Sequence, residues 1–174
     1  MPAYIWDGES LPVPVEDIVD SIYGLRVRLV EDLSSAPGAP DTDGTLSGLL
    51  LTGPGEIWVN KEEADRWPGR RRFTICHELG HWELHRTGPK SLFCRTAQVD
   101  DPETLLELDD ETRPPIPVTE EEANAFAAAM LMPAYLVRAE HANLGDDTAE
   151  LCARFNCSSK AMNHRLRSVI ESGS

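Results

Sequence analysis

The chain has 174 residues, 41% of them hydrophobic and 26% charged, an ordinary composition for a globular protein able to bury a core without staples. A net charge of −14 excludes broad, non-specific affinity for nucleic acid or anionic membrane. No apolar run approaches the ~18 residues of a membrane span, Met1–Ser10 lacks the regions of a signal peptide, and Cys76, Cys94, Cys152 and Cys157 form no C-x-x-C pair. The expectation is a cytoplasmic protein with reduced thiols.

In chain order, Val15, Ile18, Val19 and Ile22 recur at helical spacing, and Gly24 is the stop signal. Leu25, Val27 and Leu29 alternate with Arg26 and Arg28, the pattern of a half-buried strand. Residues 32–45 read as a loop. Residues 46–52 and 56–60 are strand-like runs joined through Gly53-Pro54-Gly55 as a hairpin. That hairpin supplies either an edge for an extended peptide or a buried sheet strand.

After Pro68 and Gly69 a helix is expected from about Arg70 to Arg86. Phe73, Ile75, Cys76, Leu79, Trp82 and Leu84 make it apolar on nearly every face, as in a buried central helix. Gly80 inside it costs about 1 kcal/mol relative to alanine, so a close approach by another backbone, a strand or substrate, is expected there. Residues 87–118 read as an irregular acidic segment, a lid or substrate-contact loop. A further helix is expected from about Thr119 to Pro133, and two short ones over 147–155 and 158–170.

On the central helix His77-Glu78-Leu79-Gly80-His81 reads H-E-x-x-H. Histidines at i and i+4 share one face and can reach one metal ion. Burying their rings without partners would cost several kcal/mol, and a metal satisfies both. Glu78 then stands where a general base could take the proton of a water activated by the metal. A catalytic zinc takes three protein ligands and keeps one position open. Glu120-Glu121-Glu122 offers three candidates for the third. On a helical wheel Glu120 lies about 55° from the middle of the face formed by Ala123, Phe126, Ala127, Met130, Leu131 and Ala134; Glu122 lies about 105° away and Glu121 points to solvent. Thr119-x-x-Glu122 also matches a capping box. Glu120 is therefore assigned as ligand and Glu122 as cap. Asn124 shares the face of Glu120 and is placed to accept the second ring N–H of a ligand histidine. His85 is left outside the metal set as a polar neighbour at the helix end.

These residues carry a family resemblance. Arg72-Phe73-Thr74-Ile75-Cys76-His77-Glu78-Leu79-Gly80-His81-Trp82-Glu83-Leu84-His85 resembles the R-F-T-x-A-H-E-L-G-H-x-L-x-H block of the ImmA/IrrE metallopeptidases. Glu120 to Pro133 resembles their E-x-E-A-N-x-F-A-A-x-L-L-M-P block. Cys76 departs from the usual alanine. The resemblance spans about residues 12–170 and implies an α+β fold. Residues 1–140 would form a small thermolysin-like (gluzincin) zinc peptidase core with a short antiparallel sheet, and residues 141–174 a helical, helix-turn-helix-like segment. It implies a metal, zinc or another divalent ion such as manganese, held by His77, His81 and Glu120, with Glu78 as the catalytic residue. It also implies a protein substrate, an Xre-type helix-turn-helix repressor encoded nearby, whose cleavage relieves repression in a stress response or a mobile element.

Candidate donors to the oxyanion are His85, His141, His164, Tyr4, Tyr23 and Tyr135. Cys94 is expected to be an ordinary thiol rather than a zinc-blocking one. In the C-terminal segment Asn156 suits a left-handed turn and Ser158 a helix cap, with Lys160, Asn163, His164 and Arg167 facing outward. A small helical cap or a repressor-docking element is favoured over DNA binding, since few basic residues stand against an acidic body. The alternative function is a non-proteolytic zinc-containing regulator, or a toxin–antitoxin-type partner of an Xre-type protein.

Overall fold

Helix α1 (Val15–Tyr23) buries Val15, Ile18 and Val19 and ends at Gly24, whose φ of 66° is the left-handed conformation that glycine adopts freely. The computed structural model describes residues 1–36, 46–86, 93–96 and 117–170, with the backbone alone for 93–96. Strand β1 (Arg26–Val30) follows at once. After a short 3₁₀ turn over Leu33–Ser35 come β2 (Leu46–Leu51) and β3 (Glu56–Asn60). β2 and β3 pair antiparallel, from Gly48 opposite Val59 to Leu51 opposite Glu56, with Gly55 at φ 69° in their turn.

The strand order is β1-β3-β2-β4, with β4 at Phe93–Thr96. The sheet is mixed, not antiparallel as expected. β1 runs parallel to β3, from Arg26 opposite Glu56 to Val30 opposite Asn60. The reason is positional: the hairpin turns β3 back into the direction of β1, and β4 occupies the other side of β2. Arg28 seals the parallel pair, its Nε 3.0 Å from Glu56 Oε1. Both hairpin strands are therefore interior, and the outer strands of the described sheet are β1 and β4. Of the two roles open to the hairpin, it takes that of buried sheet.

Asn60 ends β3 and accepts the Glu63 N–H at 3.0 Å, capping α2 (Lys61–Arg66), a helix that the sequence pattern did not reveal. Helix α3 (Pro68–His85) starts two residues before the expected Arg70, with Pro68 in the first turn, where its missing N–H does no harm. Every residue from Thr74 to His81 is buried. On one side Ile75 and Leu79 pack with Val19, Leu25, Leu50, Ile57 and Val59 beneath the sheet. On another, Cys76 joins a core drawn from α1 and the C-terminal helices. Removing a side chain such as Leu79 would cost about 2–5 kcal/mol. The apolar pattern ends earlier than expected, since Leu84 is exposed.

Helix α4 (Val118–Leu131) packs on α3 through Ala123 and Ala127. Helices α5 (Ala134–Leu144), α6 (Thr148–Phe155) and α7 (Ser159–Ile170) close the core with Val137, Leu151, Phe155, Met162 and Val169. Between α6 and α7 Asn156 is left-handed at φ 49°, and Ser158 Oγ accepts the Ala161 N–H at 3.2 Å. Arg165 donates to the Met132 carbonyl at 2.9 Å, tying α7 to the end of α4. The expected acidic loop lies outside the described residues apart from 93–96, Pro117 and Val118, as do the Cys94 side chain and most of the 32–45 loop. No helix among the described residues is long and apolar enough to cross a membrane.

Candidate metal centre

His77 and His81 stand one turn apart on α3, both buried, and their Nε2 atoms lie 3.0 Å apart. Glu120 reaches across from the first turn of α4. Its Oε2 is 3.1 Å from His77 Nε2 and its Oε1 is 3.1 Å from His81 Nε2. All three donor groups lie within 4.8 Å of one another. Glu121 points to solvent.

Gly80 is what lets the two helices come this close. A Cβ there would stand 3.1 Å from Ala123 Cα and 3.2 Å from Phe126 Cβ. The close approach expected at this glycine is thus made by helix α4, neither a strand nor substrate.

Asn124, one turn after Glu120, sets its Oδ1 3.0 Å from His77 Nδ1. An amide oxygen accepts, so His77 donates from Nδ1 and turns the lone pair of Nε2 toward Glu120. A ring lone pair and a carboxylate oxygen at 3.1 Å repel each other unless a positive charge lies between them. Burial raises the Glu120 carboxyl, and positive charge on the side of His77 and His81, ring N–H or metal ion, lowers it, to about 2 with the rings as donors. The site thus presents an ionised carboxylate and two imidazole nitrogens, a donor set compatible with a divalent metal ion.

Glu78 turns toward the sheet and is fully buried. It packs on β2, where a Cβ on Gly48 would meet Glu78 Oε1 at 3.1 Å and collide with Thr74 Cγ2 at 2.3 Å. Glycine at 48 is therefore a condition for this placement of the carboxylate. The adjacent Ser47 forms a bulge in the pairing of β2 with β4, and its Oγ accepts from Arg70 at 3.3 Å.

The expected capping box does not form. Pro117, extended at φ −54° and ψ 139°, precedes the first turn, and its carbonyl accepts from Glu120 N at 2.9 Å. Thr119 is thereby inside the helix, not at its cap. Glu122 points instead to His85, with Oε2 2.8 Å from Nε2. His85 in turn sets its Nδ1 3.1 Å from His81 Nδ1. Sequence reasoning missed this link, although the i+4 spacing of His85 from His81 was a usable signal. Of the other oxyanion candidates, His141 pairs with Asp146 and Tyr135 donates to the Gly8 carbonyl.

The family model described as the IrrE N-terminal-like domain, a peptidase family of type M78, matches residues 39–167. The chain belongs to this family. Membership in the IrrE N-terminal-like peptidase family bears out the resemblance carried by the two sequence blocks. Among solved structures, a Mycobacterium tuberculosis transcriptional regulator is similar at 20% identity and a TM-score of 0.54 over 90% of the chain. That likeness is one of fold, and the chain spans 41% of the regulator's length. No curated protein matches the sequence.

Proposed function

We propose that the protein is a zinc-dependent endopeptidase that cleaves a partner repressor carrying an Xre-type helix-turn-helix, relieving repression in a stress response or a mobile element. The observation that carries the proposal is the convergence of His77, His81 and Glu120 in a chain of a peptidase family, with Glu78, next to His77 in sequence, buried on the same helix. In this reading the core is thermolysin-like, and α6 with α7 forms a helix-turn-helix-like segment that docks the repressor.

His77, His81 and Glu120 would hold the metal, zinc by preference and manganese as an alternative. When bound, the metal supplies Lewis acidity, which acidifies a water and polarises a peptide carbonyl. Glu78 is the general base: it takes the proton of the attacking water and passes it to the departing amine nitrogen. Gly48, having no Cβ, leaves open the space that this carboxylate occupies. Asn124 fixes the ring of His77. The transcriptional-regulator description of the similar structure accords with a regulatory setting.

The test is co-expression with the product of the adjacent gene. Wild type should cleave it in a metal-dependent way, and Glu78→Gln should retain metal while cleavage is abolished. Cleavage by Glu78→Gln would remove this residue from the mechanism. Full metal loading with no cleavage by wild type would favour the non-proteolytic regulator.

A further inference from the structure

The two histidines of the metal centre are oriented by different means. His77 is held directly by Asn124. His81 faces His85, Nδ1 to Nδ1 at 3.1 Å, and His85 faces Glu122, Nε2 to Oε2 at 2.8 Å. The direction of this chain follows from chemistry. A carboxylate only accepts, so His85 donates from Nε2. A neutral imidazole carrying its proton there has a lone pair on Nδ1. It therefore accepts from His81, which must carry its proton on Nδ1 and expose a lone pair on Nε2, the atom facing Glu120.

We infer that His85 and Glu122 are positioning residues: a relay that fixes His81 in the tautomer able to bind a metal. This rests on the metal-site reading of His77, His81 and Glu120. The competing explanation is a helix-end ion pair that merely clamps α3 to α4. The side chain of His85 is 11% exposed and that of Glu122 53%. An ion pair so exposed contributes about 0–1 kcal/mol to stability. It needs His85 protonated on both nitrogens, which would donate from Nδ1 and leave His81 with its proton on Nε2; the relay makes the opposite tautomer.

Two measurements on the full chain separate the explanations. Long-range ¹H–¹⁵N spectra of the metal-free protein report the tautomer of each histidine. Wild type should show His81 protonated at Nδ1, and His85→Leu should shift it toward the Nε2–H form. Zinc affinity, read by competition with a chromophoric chelator, should fall about 10–100-fold in His85→Leu, the usual range for loss of a ligand's outer partner. His85→Gln restores an oxygen acceptor beside His81 Nδ1 and should return affinity to within about 3-fold of wild type. Glu122→Gln should weaken binding less than His85→Leu and add nothing to it in the double variant, because the two act in series. An unchanged His81 tautomer in His85→Leu, or strictly additive losses, would overturn the relay. Failure of wild type to bind zinc at all would instead overturn the zinc reading, and the tautomer spectra would still report on the relay.

Discussion

His77 and His81 occupy equivalent places in one motif, yet the protein builds around them differently. The His77 arm is deep: the ring is fully buried and its outer partner, Asn124, comes from another helix. The His81 arm runs outward through His85 to Glu122, whose side chain is 53% exposed. The comparison teaches that an H-E-x-x-H spacing places two rings on one face but does not orient them. Orientation comes from helix α4, whose Glu120, Glu122 and Asn124 face the candidate metal site, the outer arm and the inner arm in turn. The histidines themselves are local to α3, whereas their orientation depends on a contact between helices about forty residues apart in sequence.

The largest effect should come from striking both arms at once. Glu120 does this because its two oxygens face different histidines. Glu120→Gln keeps the shape and removes the charge, so stoichiometric zinc should be lost while far-ultraviolet circular dichroism stays as in wild type. Zinc content by elemental analysis after dialysis decides it; full occupancy in this variant would mean that Glu120 is not a ligand.

Next in size is the spacing between the helices. Gly80→Val places branched carbons where Ala123 and Phe126 already stand within 3.2 Å of a hypothetical Cβ. Overpacking of this kind costs about 1–3 kcal/mol, which outweighs the gain of up to about 1 kcal/mol from removing a helical glycine. Because α4 must move away, both arms should loosen together, and urea unfolding and zinc affinity should fall in parallel. A stable variant with weakened zinc binding in one arm alone would show that the arms are not spaced by this contact.

Asn124→Ala tests the inner arm alone. It should weaken zinc binding about 10–100-fold, while Asn124→Asp, which keeps an acceptor oxygen, should lose far less. If the His77 arm is the stronger one, Asn124→Ala should exceed Glu122→Gln in the same chelator competition.

How much of this was legible in the sequence follows from which contacts are local. The central helix and its histidines were readable because i and i+4 positions share a face whatever the surroundings. The position of Glu120 was readable from the apolar stripe of α4. The partner of Glu122 was not, since Thr119-x-x-Glu122 fits a capping box equally well. The extended Pro117 decides the matter by starting the helix at Val118. The direction of β1 was not readable either, because strand pairing is a choice among distant segments, and α2 was too short to show a period. Gly80 announced a close approach but could not name the approaching element.

The smallest effect concerns the wall behind the inner arm. Cys76, beside His77 in sequence, is fully buried. Burial pushes its thiol up to about 12, with Arg72 pulling weakly the other way. A raised pKa favours the protonated form, so at pH 8 the native thiol is neutral and sealed, and the thiolate that alkylating reagents attack is scarce. Cys76 should therefore resist iodoacetamide at pH 8 in the folded protein and react once the chain is unfolded in urea, with peptide mass spectrometry as the readout. Cys76→Ala should leave zinc content and the His77 tautomer unchanged. Rapid native labelling of Cys76 would mean that water reaches the back of His77, and the contrast between a sealed inner arm and an open outer one would fail at that point.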